Sequence, residues 1–308
     1  MVKNPLLKYS IERLLNEANP EGGTFFGDTA FNKMIFLLYR RLQENDVDIK
    51  LPYYWYLQGS LIEEKQFESE VGKSRLYYIT SDHSSRRMPS VPNTPIADGE
   101  KRIIDQNIQT LVQHYKQANG YFKKGYLDLL LDDVYEKAPY EFQRVFNRKF
   151  VPFLNSFKTP VQRKVPASLS FTDENIDNIE TFLDQSLRVF PAEDMERIFE
   201  TYLEWDDTAR IAIEYDQKRI FPMTDSFWKM FCKNLRVIKN ENIPDELIHE
   251  WDVLFTTAVF PEYQGTLYKL RKSLLKKWKT GQGEDTEIDN LVKKLNFISR
   301  NNLSKTEN

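Results

Sequence analysis

The chain has one cysteine, Cys232, and three histidines, His83, His114 and His249, in 308 residues. A single thiol excludes an intramolecular disulfide and any cysteine-rich zinc site. Three histidines are too few to favour a histidine-based metal site, and no metal or cofactor is expected. None has a serine or cysteine nucleophile alongside it. His114 falls in a helical pattern between Val112 and Tyr115 and is expected to be partly buried. Long apolar runs are missing as well. No stretch approaches the ~18 consecutive apolar residues needed to span a bilayer, so no membrane partner is expected. The opening Met1-Val2-Lys3-Asn4-Pro5 lacks the apolar run of a signal peptide, and cytoplasmic residence is the expectation. Charge is nearly balanced, at a net −3. That argues against a bulk polyelectrolyte attraction to nucleic acid while leaving room for a local patch.

Aromatic mass is plentiful, with 21 Phe and 16 Tyr, and hydrophobic residues make up 41%. This is enough for a sizeable core and argues against wholesale disorder. The length suggests about two domains.

Apolar residues recur at helical spacing over most of the chain. Leu6, Leu7, Ile11, Leu14 and Leu15 predict a first helix, ended by Asn19-Pro20-Glu21-Gly22-Gly23. Phe31, Met34, Ile35, Leu38 and Leu42 predict a second, buried on most faces, with Asp28 or Thr29 as N-cap. Two β-prone stretches follow, Leu51 to Leu57 and Leu76 to Thr80, and are expected to pair as a small hairpin or wing. Ser81 to Asp98 reads as an exposed loop. Helices are predicted again from Glu100 to Tyr115, over Leu127–Tyr135 and over Glu141–Leu154. The segment 158–166, with two prolines and little periodicity, is the expected linker. Beyond it lie helical candidates at Asp173–Leu187, Ala192–Trp205, Asp225–Asn234, Pro244–Ala258, Gly265–Lys279 and Thr286–Arg300. The fold class is therefore mainly α. An N-terminal helical domain with a small β hairpin (1–157) precedes a C-terminal helical bundle (167–308).

Charge is unevenly distributed along the sequence. Phe142 to Thr172 carries six bases and no acid, Asp173 to Asp207 twelve acids and two bases, and Gly265 to Lys279 six bases and no acid. In the last of these, Leu267, Leu270, Leu274 and Trp278 form one helical stripe. Lys269, Lys272, Lys276 and Lys279 form another, flanked by Arg271 and Lys277. Such a face neutralises phosphates or docks on an acidic partner. The alternative is a solvated face balanced by the acidic 173–207 segment. Arg86 and Arg87 in the long loop, and Arg163 and Lys164 in the linker, are further candidate contacts to a partner or to a phosphate backbone.

Other constellations carry less. Tyr53-Tyr54-Trp55-Tyr56 could stack bases, but aromatic runs of this kind more often fill cores. Glu63-Glu64-Lys65 satisfies half of a metal-dependent nuclease pattern with three common residues. Gly120 to Gly125 has the glycine spacing of a P-loop, with Tyr126 and Leu127 where lysine and a hydroxyl are needed. No catalytic constellation emerges.

The apolar helix Phe31-Asn32-Lys33-Met34-Ile35-Phe36-Leu37-Leu38-Tyr39 is followed by Tyr54-Trp55-Tyr56-Leu57-Gln58-Gly59-Ser60, then by Tyr126-Leu127-Asp128-Leu129-Leu130-Leu131 and on to Lys137-Ala138-Pro139-Tyr140. This order resembles the Panacea domain of SocA-like antitoxins over about residues 25–150. It departs from that family at Ser60, where the family has proline, and at Tyr140, where it has tryptophan. The resemblance implies a helical domain for protein recognition in toxin neutralisation, proteolytic adaptor work or phage defence, without catalytic residues. The expected function is a non-enzymatic interaction module whose partner is a toxin or a defence-complex subunit. A nucleic-acid-binding subunit of a larger complex is the alternative.

Overall fold

A computed structural model of the chain describes residues 2–18, 27–79, 96–158, 164–165 and 169–281. The protein is mainly α with one small sheet, as the periodicity predicts. Helix α1 spans Pro5–Ala18 and α2 spans Asp28–Gln43. Gly27, rather than Asp28 or Thr29, is the N-cap of α2. Asp28 sits in the first turn, where its charge favours the helix N-terminus, and the Asn32 amide donates to its carbonyl at 2.8 Å. α2 is buried on nearly all sides, from Phe31 through Tyr39.

Strand β1 (Tyr53–Tyr56) turns through Leu57 and Gln58 into β2 (Gly59–Ile62), pairing Tyr56 with Gly59 and Tyr53 with Ile62. Neither Leu57 nor Gln58 has a positive φ, whereas Gly59 lies at +90°, a combination in which glycine supplies the left-handed residue of a short hairpin. A Cβ at Gly59 would also meet Val134 Cγ1 at 2.9 Å. The expected partner of β1, Leu76–Thr80, is not a strand. Residues 75–79 are helical, and Thr80 lies outside the described residues. Two effects override its β propensity. A partner two residues away closes a far smaller loop than one twenty residues away. The turn before residue 75 is also clamped, because Glu64 in α3 (Glu64–Val71) accepts from the Arg75 backbone N–H at 3.0 Å and pairs with its guanidinium at 2.8 Å.

The other edge of β1 is taken from far along the chain by β3 (Asn240–Glu241), in the order β2-β1-β3. Alternation along β1 then decides which rings go inward. Tyr53 and Trp55 are buried against Phe36 of α2, at ring distances of 5.0 and 5.5 Å. Tyr54 packs on Trp251 at 4.9 Å.

α4 (Asp98–Tyr115) lays Ile104, Ile108, Leu111, Val112 and Tyr115 on α1 and α2, and α5 (Tyr126–Glu136) closes this layer with Leu130 and Val134. Next, α6 runs continuously through Glu141–Gln143, a π-helical stretch Arg144–Phe150, and Val151–Ser156. Phe142, Phe146, Phe150 and Leu154 are spaced by four and all are buried. The three phenylalanines enter a ring cluster with α7 (Asp173–Arg188), α8 (Glu196–Tyr215) and α9 (Ile220–Ile238). Phe146 stands 5.4 Å from Trp205, 5.4 Å from Phe227 and 5.7 Å from Trp228. Cys232 is buried in α9 as a small apolar residue, and burial raises its thiol pKa. The chain ends its described course in α10 (Asp245–Leu254), a second π-helical stretch Phe255–Val259, and α11 (Phe260–Gly281).

Both π-helical stretches stand just before a proline within a continuing helix, Pro152 and Pro261. A proline ring clashes with the carbonyl four residues earlier, here that of Arg148 or Thr257, and both lie inside the widened stretch. Widening the helix relieves the clash without breaking the rod.

The expected boundary at 158–166 is partly outside the described residues. Side chains on either side of it share one core. Besides the β1–β3 pairing, Trp228 Nε1 donates to the Leu57 carbonyl at 3.0 Å, and Asn242 Nδ2 to that of Leu51 at 3.0 Å.

Candidate functional site

The strongest sequence candidate, the cationic helix, is α11. Its apolar stripe behaves as predicted, with Leu267 and Leu274 buried against α8 and α9. The basic residues divide by face. Arg271 reaches the Asp207 carboxylate at 3.4 Å, and Lys277 reaches Asp216 at 2.6 Å. Asp216 also takes Arg219 at 3.4 Å, and these two cations hold its carboxyl below the usual range against the opposing effect of burial. The acidic 173–207 segment thus braces α11 through one of its members. Others pair elsewhere: Asp184 and Asp206 with Arg210, and Asp194 with Lys239 and the Tyr140 hydroxyl. Lys269, Lys272, Lys276, Lys277 and Lys279 all have exposed side chains, and Arg271 is half-buried. The structure therefore keeps Lys269 and Lys272 outward on a helix whose neighbouring cations are anchored.

The remaining sequence candidates are scattered. Arg86, Arg87 and Arg163 lie outside the described residues, as does the helix expected at Thr286–Arg300. Lys164 is exposed. The basic 142–172 stretch is partly neutralised by α5, since Arg144 pairs with Glu136 at 3.0 Å and Arg148 with Asp132 at 2.5 Å. Glu63 is spent as the N-cap of α3, accepting from the Gln66 N–H at 2.6 Å, and Glu64 is spent on Arg75. The nuclease pattern is accounted for as a cap and a clamp. His114 is exposed rather than partly buried, with Nε2 3.3 Å from Asp133, which also accepts the Tyr115 hydroxyl. The helix turns His114 outward because Leu111, Val112 and Tyr115 occupy the inner face.

Two sites escaped the sequence analysis. The first is the buried amine of Lys33, 3% exposed in α2, whose Nζ donates to the Ser60 carbonyl at 2.5 Å. Burial lowers its pKa to about 7, with Asp28 opposing and Arg75 reinforcing that shift. A cavity of about 230 Å³, lined by Asp28, Asn32, Lys33, Tyr56 and Gly59 among others, lies beside it. The neighbouring Asn32 Oδ1 accepts from both the Ile62 N–H and Arg75. Together these bonds fasten the hairpin to α2. The lysine was visible in the sequence only as one letter of the Panacea-like helix, with no sign of its carbonyl partner.

The second is a groove of about 420 Å³ between α8, α9 and α11. Trp205, Met223, Tyr263 and Leu267 supply apolar surface, and Arg219 and Lys269 stand among its lining residues. Of these, Leu267 and Lys269 belonged to stripes readable in one dimension.

Comparison with known protein families, curated proteins and solved structures finds no match to the chain. No helix among the described residues is long and apolar enough to cross a membrane.

Proposed function

We propose that the chain is a non-enzymatic protein-interaction module of a prokaryotic toxin–antitoxin or anti-phage defence system, and that an acidic surface of its protein partner docks on α11. The observation that carries this reading is the outward placement of Lys269 and Lys272 on a helix braced through Arg271 and Lys277. A braced helix presents its charges with little ordering left to do on binding, which favours recognition by a complementary acidic face. The Panacea-like order of motifs over residues 25–150 supports the defence context.

The test is purification from cells that co-express the chromosomal neighbours. A stoichiometric protein partner is expected, and Lys269→Glu with Lys272→Glu should remove it. A chain that captures no protein partner, or that captures one equally well after charge reversal, overturns the proposal.

Nucleic acid is the second reading, favoured by the spacing of Lys269, Lys272, Lys276 and Lys279 along one face. These four set the upper bound on phosphate contacts from that face. The slope of log K against log salt would then be no steeper than about −3.6 for a duplex.

A further inference from the structure

The groove between α8, α9 and α11 combines three features. Its floor is apolar, made by Trp205, Met223 and Leu267. Its lining holds two cations, Arg219 and Lys269, and no acidic residue. Asp216, the carboxylate that pairs with Arg219, is shared with Lys277. The third feature is Tyr263. It is 8% exposed, it lines the groove, and its hydroxyl is buried with no hydrogen-bond partner among the described residues. A buried hydroxyl left unpaired is destabilising. The neighbouring polar groups are otherwise engaged. Trp205 Nε1 and Ser226 Oγ both donate to the Met223 carbonyl, and Thr266 Oγ1 donates to that of Glu262. Burial raises the pKa of the Tyr263 phenol, so it remains a donor at neutral pH. The volume falls in the range of small-molecule sites, which are mostly apolar with a few placed polar groups.

We propose that this groove binds a small amphipathic carboxylate, an aliphatic or aryl acid. Its apolar body lies on Trp205, Met223 and Leu267, and its carboxylate sits between Arg219 and Lys269. The site shares Lys269 with the docking face proposed above but does not depend on that reading. An acid bound here covers Lys269, one of the exposed lysines of α11.

The experiment is calorimetric titration of the full chain with decanoate, compared with decyltrimethylammonium. One saturable site for decanoate is expected, with the cationic amphiphile at least ~10-fold weaker because it meets like charge. Arg219→Glu with Lys269→Glu, both at exposed positions, should weaken decanoate by at least ~10-fold, the equivalent of losing one charge-assisted contact. The proposal is overturned if decanoate shows no saturable binding up to about 1 mM, the weakest affinity of interest. It is equally overturned if the charge-reversed chain binds decanoate as the wild type does, or if both amphiphiles bind alike. Partner capture in the co-purification assay is a separate readout, so failure here and failure of the docking proposal are distinguishable.

Discussion

Replacing Lys33 with methionine should change how stability depends on pH, and the sign follows from burial. The lysine amine is 3% exposed, and its pKa is lowered to about 7 in the folded chain, against about 10.4 for an unfolded lysine. Between those values the unfolded chain binds more protons than the folded one, so stability rises with pH across that window. Below pH 7 both states are protonated, and the full penalty of burying the cation is present. As pH climbs, the folded amine loses its proton and the penalty falls away. For one group the slope is at most about 1.4 kcal/mol per pH unit. Integrated from pH 6 to pH 9, the wild type should gain about 2–3 kcal/mol relative to the variant. Methionine has similar length, carries no charge and leaves the Ser60 carbonyl without its donor. Lys33→Met therefore starts with the loss of one hydrogen bond, worth about 1 kcal/mol, and lacks the titration. Urea unfolding of both proteins at pH 6, 7, 8 and 9 isolates the difference, since other titrating groups largely cancel. Parallel curves over that range would refute the reasoning, because they would mean that Lys33 keeps an ordinary pKa in the fold.

Gly59→Ala should destabilise by about 2 kcal/mol or more, combining the strain of a positive φ with a Cβ placed 2.9 Å from Val134 Cγ1. An unchanged thermal midpoint would mean the hairpin turn has slack that the geometry denies. Glu241→Gln should lower stability by about 1–2 kcal/mol, because the carboxylate accepts from Tyr39 at 2.6 Å and Tyr53 at 2.7 Å. A double-mutant cycle with Tyr53→Phe should give a coupling of at least ~0.5 kcal/mol, and strict additivity would show that the two groups act independently. Reversal of Lys269 and Lys272 in the co-purification assay and the decanoate titration complete the set.

The helices were legible because their evidence is local. The Ile104-Ile108-Leu111-Val112-Tyr115 stripe, the spacing by four of Phe142, Phe146, Phe150 and Leu154, and the Thr172 N-cap with Asn175 answering it all lie within one or two turns. Periodicity reports directly on which face is buried. The sheet was half legible for the same reason. Tyr53 to Tyr56 announces a strand, but which edge it pairs along depends on loop closure and on a two-residue strand nearly two hundred positions away. No pattern within Asn240-Glu241 marks it as a strand. Its pairing is set by Trp55 N–H reaching the Lys239 carbonyl and by the tyrosines that receive Glu241. The helices that continue through Pro152 and Pro261 show the converse. Proline at those positions reads locally as a boundary, yet the packing of Phe146 and Phe150 on one side and Leu154 on the other holds the rod together, and the backbone widens instead of ending.

The candidate site was legible as charge but not as geometry. A run of like charge in sequence says that its neutralising partners, if it has them, lie on other helices. It leaves open which ones. Here the compensation is local in space and short-range between elements: the bases of α6 take the acids of α5, Arg210 takes two acids of the 173–207 segment, and α11 takes one acid of that segment and Asp216 just beyond α8. Each pairing is partly exposed and individually worth little. Their effect is to fix which way the helices present their remaining charge. On α11 that leaves Lys269 and Lys272 outward, and it draws Arg219 toward Asp216 at the edge of an apolar groove. A groove of this kind requires Trp205, Met223, Tyr263 and Lys269 to converge from three helices, with Arg219 added from the turn between two of them. It arises only when those helices are packed, so no reading of a single segment could have assembled it.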